Sequence, residues 1–268
     1  MQLNFPKNQL YASVAESFQR AGYTTLVYDP RGVGTSDGQP RGDISPVKQT
    51  EDYHDAVTFM KSQRTVDGKK IALWGYSLSA AEALAAAALD RRVKLVMAIC
   101  PAVPFDMEHA AKRSRFLSQA MRDRESRARG NPPLCLPFIG DSDDGPLFNY
   151  RRFRGMADAE YDAVQDGLAA IPHFRNEITI QTFYNMIAWS FHHQLPLVSP
   201  TPVLQINAGE EELPYLKKEY DIIFDKLQSP KQLHVEPDSG HMDILIGDEK
   251  FAALMKVQIA FVEKYFGD

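Results

Sequence analysis

Lys70-Ile71-Ala72-Leu73-Trp74-Gly75-Tyr76-Ser77-Leu78-Ser79-Ala80-Ala81 passes from an apolar, β-prone run into an Ala-rich one with a single turn between them. Lys70 to Trp74 reads as a short buried strand, and Leu78 to Leu89 has the composition of a buried helix. A serine on so sharp a strand-to-helix turn has a strained backbone, so small residues must stand two positions to either side to let strand and helix approach. Gly75 and Ser79 meet that need. The turn lifts the Ser77 hydroxyl above the edge of a sheet. It also aims the Leu78 N–H, at the helix N-terminus, toward a developing oxyanion. The competing reading takes Ser77 as no more than the N-cap of an Ala-rich helix.

The same rhythm continues to both sides. Tyr11, Val14, Ala15 and Phe18 fall on one face of a helix that Gly22 closes, and Thr24 to Tyr28 reads as a strand. Thr50 is read as the cap of a helix carrying Tyr53, Ala56, Val57 and Met60, and Val93 to Cys100 is again strand. Continuous apolar strands separated by helices predict a mostly parallel sheet covered on both faces. The alternation stops at Pro101. From about Pro104 to Pro200, helical patterns (Met107 to Arg129, Asp158 to Ile171, Ile178 to Phe191) are joined by Pro/Gly-rich connections with no strand between them. This predicts a helical lid inserted in an α/β scaffold. Strands at Pro202 to Ala208 and Gln232 to Glu236, then a helix with Phe251, Leu254, Met255, Ile259 and Val262 on one face, complete one domain over residues 1–268.

A chain of 268 residues, 44% hydrophobic and 24% charged, can bury a core without disulfide or metal staples. Its 30 Lys plus Arg against 35 Asp plus Glu leave a net charge of −5, which provides no overall basic field for nucleic acid. Cys100 and Cys135 lack ligand-type spacing and read as thiols in a reducing compartment. No basic segment followed by an apolar stretch opens the chain, and the longest apolar run, Ala83 to Leu89, is too short to span a bilayer. The C-terminal Phe266-Gly267-Asp268 matches neither a peroxisomal nor an ER-retention tripeptide. A soluble cytoplasmic protein with no membrane partner is expected. The oligomeric state is left open, a homodimer included.

A nucleophilic serine needs a base, because its hydroxyl is hardly ionised at neutral pH. Among the seven histidines, His241 stands just after a late strand, in Ser239-Gly240-His241-Met242-Asp243, where a Gly-led loop can swing the imidazole back over the sheet edge. His54 and His109 lie on predicted helices, His234 lies in a strand, and His192 and His193 lie in the insertion. The third member must be a carboxylate at a neighbouring strand end. Val203 to Asn207 runs directly into Ala208-Gly209-Glu210-Glu211-Glu212, with Asp106 as a rival acid.

With these residues in view, the chain resembles the α/β-hydrolase superfamily. Asp29-Pro30-Arg31-Gly32-Val33-Gly34-Thr35-Ser36 is similar to the loop after that family's fourth strand. Gly75 to Ser79 resembles its nucleophile elbow, with Ser79 in place of the usual last glycine, and Gly240-His241 resembles its histidine loop. The order Ser, acid, His is the family's own. Phe174-Arg175-Asn176-Glu177-Ile178-Thr179 and Pro200-Thr201-Pro202-Val203-Leu204 resemble the fungal polyketide-transferase and thiohydrolase branch, found in secondary-metabolite and toxin clusters. The resemblance puts Glu211 at the acid position, where Asp is usual, with Glu210 and Glu212 as alternatives. It implies an α/β-hydrolase fold whose N-terminal hairpin is missing, because the chain begins at or just before the helix that follows the family's third strand. Gln2 to Asn4 is expected to pair between Thr24–Tyr28 and Lys70–Trp74. Phe5 or Lys7 is then expected to offer the second oxyanion N–H, since Pro6 cannot donate.

The implied activity is that of a serine hydrolase or acyltransferase acting on an ester or thioester. Ser77 is nucleophile, His241 base and then acid, Glu211 its orienting carboxylate, and Leu78 and Phe5 are the oxyanion donors; no cofactor or metal is called for. Two other classes stay open: a pseudo-hydrolase that binds an apolar metabolite or a partner, and a lyase or cyclase using the triad as base. Tyr76, Trp189 and Phe191 are candidate substrate-lining residues, and the cluster Phe183, Tyr184, Trp189 and Phe191 reads alternatively as the insertion's own core. The basic stretch Lys112, Arg113, Arg115, Arg122, Arg124, Arg127 and Arg129 is either a solvated helix face or an attractor for an acidic acyl-carrier domain or coenzyme A phosphates.

Overall fold

The computed structural model describes residues 9–103, 110–140, 148–149, 162, 166–167, 169–210, 214–241 and 244–267. Helix α1 (Gln9–Arg20) turns Tyr11, Val14 and Phe18 inward and is closed at Gly22, whose φ of +90° few other residues adopt. Helix α2 (Pro46–Ser62) begins one turn earlier than expected. Ser45 precedes it and Pro46 opens it, with the fixed φ that suits a first helical position, while Thr50 lies inside and its Oγ1 donates to the Pro46 carbonyl at 2.8 Å. Strand β1 (Ile71–Tyr76), helix α3 (Leu78–Leu89) and strand β2 (Val93–Ile99) follow as predicted.

The insertion contains α4 (Ala110–Ala128), β3 (Cys135–Leu136), β4 (Ile139–Gly140), β5 (Phe148–Asn149), β6 (Ile178–Thr179) and α5 (Ile180–Ala188), then a 3₁₀ turn at Leu195–Val198. It is therefore not purely helical. β3 pairs antiparallel with β6 and β4 parallel with β5, each over two residues, too short for any alternating pattern to announce them. The expected helix Asp158 to Ile171 lies mainly outside the described residues. The scaffold resumes with β7 (Val203–Ala208), α6 (Pro214–Lys226), β8 (Lys231–Glu236) and α7 (Asp248–Phe266).

Among the described residues the main sheet is β1-β2-β7-β8, parallel throughout. Register aligns Tyr76 with Ile99, Ile99 with Ile206 and Ala208 with Glu236. The residues that follow these strand ends thus emerge on one edge, the carboxyl edge where open α/β sheets bind ligands. α3 explains its Ala-rich sequence by lying on this sheet and beneath α2 and the 3₁₀ turn. Ala80, Ala81, Ala83 to Ala88 and Leu84 are buried with Ile71, Val96 and Val203. No helix among the described residues is long and apolar enough to cross a membrane.

Among the described residues the expected strand Thr24 to Tyr28 has no partner in the sheet. A cleft of about 470 Å³, lined by Thr24 to Tyr28, Ile71 to Trp74 and the inner face of α1, lies between it and β1. A strand exists through its hydrogen-bonded neighbour, and the backbone of this stretch makes no hydrogen bond among the described residues. The expected pairing of Gln2 to Asn4 falls outside the described residues.

Glu82 on α3 is 2% exposed, and its Oε1 has no hydrogen-bond partner among the described residues. Burial pushes its carboxyl well above the usual carboxylate range, and Asp52 nearby acts in the same direction. The folded chain then keeps a proton that the unfolded chain has already lost at neutral pH, so folding is penalised increasingly as pH rises above the ordinary glutamate value. Glu82→Gln removes that penalty without changing shape. It is expected to raise the Tm by roughly 3–5 °C at pH 8. Thermal scans should show the gain shrinking toward pH 4.

Candidate active site

Ser77 has φ 58° and ψ −125°, a conformation that costs about 1–3 kcal/mol and persists only where its surroundings over-determine it. They do so here. The Ser77 N–H donates to the Ile99 carbonyl at 2.9 Å, and its carbonyl accepts from Ala80 N at 3.0 Å and Ala102 N at 3.3 Å. A Cβ on Gly75 would stand 2.3 Å from the Ser79 carbonyl oxygen and 2.6 Å from Ala80 N, which is why glycine occupies that position. The Tyr53 hydroxyl lies 3.1 Å from the Trp74 carbonyl and 3.2 Å from that of Ser79, tying the strand end to the helix start. No side-chain capping bond is made by Ser77, so the N-cap reading does not account for it.

His241 Nε2 is 3.0 Å from Ser77 Oγ, and the two residues are 3% and 4% exposed. Among the described residues, three further contacts hold His241. The Tyr76 hydroxyl donates to the His241 carbonyl, the Tyr76 ring stacks on the imidazole with centroids 5.4 Å apart, and the Tyr220 hydroxyl lies 2.7 Å from Nδ1. Leu78 opens α3, so its N–H belongs to the first turn, where no intrahelical acceptor exists. An N–H at that position is open to an acceptor from outside the helix.

The loop after β7 is fastened to the loop after β8. Gly209 N donates to the Glu236 carbonyl and Glu210 N to the Ser239 carbonyl, each at 2.9 Å. The acidic turn and the histidine loop are therefore neighbours. The Glu210 side chain is exposed, while Glu211 and Glu212 lie outside the described residues, as do Asp106, Phe5 and Lys7. His54, His192 and His234 are engaged elsewhere, with Asp90, Glu219 and Glu236.

Tyr76 and Phe191, read as candidate lining residues, are as buried as the Ser77–His241 pair itself. Tyr76 is 1% exposed and holds His241. Phe191 is fully buried, stacked on Trp189 at 4.8 Å and packed against α3 and the 3₁₀ turn. Trp189 remains half-buried between this core and that of the insertion. The insertion's core does reach the site's margin. Phe116 and Phe183 stack at 4.0 Å in a cluster that also takes in Val33, Ile44 and Leu78, the residue after the nucleophile. The Asp29–Gly42 loop and the residues after it clasp this insertion: Gly42 O accepts from Thr179 N at 3.0 Å, and Asp43 Oδ1 accepts from Thr179 Oγ1 at 2.8 Å.

Sequence reasoning missed Tyr220. The available signal was its place on a buried helical face with Leu216 and Ile223, where a tyrosine hydroxyl requires a partner.

The profile describing the alpha/beta hydrolase fold matches residues 5–248. This chain belongs to the α/β-hydrolase family. Among proteins similar to this hydrolase is the thiohydrolase apmlB of Arthrinium phaeospermum, 55% identical over 266 residues that span 98% of this chain and 86% of the other. The polyketide transferase ATR5 of Stachybotrys chlorohalonatus is 39% identical over 261 residues, 97% of this chain and 86% of its own. The crystal structure of the α/β hydrolase GrgF from a Penicillium species superposes with a TM-score of 0.85 at 32% identity, covering 99% of this chain and 88% of that one. The hydrolase accordingly falls within the fungal branch that carries the thiohydrolase and polyketide-transferase names, as its sequence resemblance implied.

Proposed function

We propose that this α/β-hydrolase is a serine hydrolase or acyltransferase of fungal secondary metabolism that forms an acyl-enzyme on Ser77 from an ester or thioester. The observation that carries the reading is the 3.0 Å contact between Ser77 Oγ and His241 Nε2 on a strained strand-to-helix turn. His241 takes the hydroxyl proton as the oxygen attacks the carbonyl carbon, and the Leu78 N–H faces the negative oxygen that forms. His241 then returns the proton to the departing thiolate or alkoxide. Water, or an acceptor alcohol or amine, resolves the acyl-enzyme by the reverse steps, with Glu211 stabilising the imidazolium each time.

The relatives' names, thiohydrolase and polyketide transferase, favour a thioester over a simple ester. A carrier-borne or coenzyme A-borne acyl group also suits α4, which carries Lys112, Arg113, Arg115, Arg122, Arg124 and Arg127. Of its two acids, Asp123 is turned inward to Leu134 N and Gln181 Nε2, leaving Glu125 outside. Arg124 also turns to Gln181 Oε1 and the Tyr184 ring, and the remaining basic residues keep this helix cationic on a chain whose net charge is −5.

A fluorophosphonate probe tests the reading. Stoichiometric labelling located at Ser77 by peptide mass spectrometry is expected, and the absence of any adduct would return the fold to the status of a binding module.

A further inference from the structure

His241 can take a proton from Ser77 only if Nε2 carries the lone pair, which puts the proton of the neutral ring on Nδ1. That proton needs an acceptor in the plane of the ring. The Tyr220 hydroxyl is 2.7 Å from Nδ1, and the phenol and imidazole planes differ by only 7°. Tyr220 is itself 1% exposed, and its backbone is fixed by Gln205 Nε2, which donates to the Tyr220 carbonyl at 2.9 Å. Tyr76 stacks on the imidazole, and its hydroxyl holds the His241 backbone. The histidine is gripped by two tyrosines, one for position and one for proton placement.

We propose that Tyr220 is a positioning residue: its phenol oxygen accepts the Nδ1 proton and so holds His241 in the tautomer that can act as base toward Ser77. The opposite polarity, with the phenol donating to Nδ1, places the ring proton on Nε2, where it faces Ser77 Oγ and blocks proton transfer. The two polarities are distinguishable without any substrate. This inference rests on the Ser77–His241 reading and does not depend on which glutamate supplies negative charge.

The test is ¹⁵N–¹H correlation spectroscopy on protein labelled with ¹⁵N-histidine, with the His241 signals assigned by their loss in His241→Ala. A protonated Nδ1 and a pyridine-type Nε2 are expected in the wild type. Tyr220→Phe, which keeps the ring and removes the oxygen, is expected to shift His241 toward the Nε2–H form. It is also expected to lower kcat about tenfold with KM within twofold. A wild-type spectrum showing Nε2–H overturns the proposal whether or not the variant folds. So does a Tyr220→Phe protein that keeps the wild-type tautomer and kcat. Failure of the hydrolase reading is seen separately, as a wild type that takes up no fluorophosphonate while its His241 tautomer can still be scored.

Discussion

Replacing Ser77 with alanine is expected to lower turnover by about 10⁶-fold, and His241→Ala by a similar factor. The two should not add. The two groups serve one step: the hydroxyl without the imidazole remains protonated, and the imidazole without the hydroxyl has no serine to activate. A double variant should therefore be no slower than the worse single one. Folding should survive both changes. Alanine at position 77 inherits the same φ of 58°, and the bonds from Ile99, Ala80 and Ala102 that hold the turn are made by its backbone. His241→Ala leaves a gap between Tyr76 and Tyr220, and a Tm lower by a few degrees is expected. Steady-state turnover of a thioester, read alongside thermal melting, separates the two effects. Activity within tenfold of wild type in either folded variant would end the acyl-enzyme mechanism.

What could be read from the chain and what could not divide along a physical line. The elbow was legible because its requirement is local: Gly75, Ser77 and Ser79 lie within five residues, and the steric rule that relates them needs no knowledge of the rest of the fold. β7 and the histidine loop were legible for a similar reason, an apolar run ending in a glycine-led turn. Thr24 to Tyr28 has the same apolar, β-branched composition and no sheet partner among the described residues, and since pairing is a property of two segments, composition, which reports on one, cannot supply it. The start of α2 was misplaced because Ser45-Pro46 and Thr50 both carry start signals, and Pro46 at the first position outweighs a threonine whose hydroxyl bonds within the helix. Phe191 and Tyr76 were read as candidate lining because aromatic residues near a site suit either role, and their packing, Tyr76 on His241 and Phe191 on Trp189, is a tertiary fact that the sequence does not carry. Tyr220 meets His241 only once α6 is laid against the sheet edge, so its part in the site is a tertiary fact.

Exchanging the three acids one at a time is expected to single out Glu211. Glu211→Gln should lower kcat by about 10² to 10³, and Glu210→Gln and Glu212→Gln by no more than about fivefold. Removing the acid of a serine triad costs up to about 10⁴ where that acid alone sets the histidine tautomer. The smaller loss follows from Tyr220: with a phenol oxygen 2.7 Å from Nδ1, direction is held independently, and the carboxylate's share is the stabilisation of the imidazolium by its charge. The choice of Glu211 rests on the family resemblance, and the fastening of the turn bears on its neighbour Glu210. A Cβ on Gly209 would stand 2.8 Å from the Glu236 carbonyl oxygen, so glycine there lets the two loops meet, and the Glu210 N–H then reaches Ser239, two residues before His241. The Glu210 side chain is spent outward into solvent. The resemblance to the family places the acid at the next residue, Glu211. Each variant is measured for kcat with a common thioester and for Ser77 labelling rate, since loss of imidazolium stabilisation slows both. A larger loss in Glu212→Gln or Glu210→Gln would move the acid to that residue, and three unaffected variants would mean that the histidine works without a carboxylate from this turn.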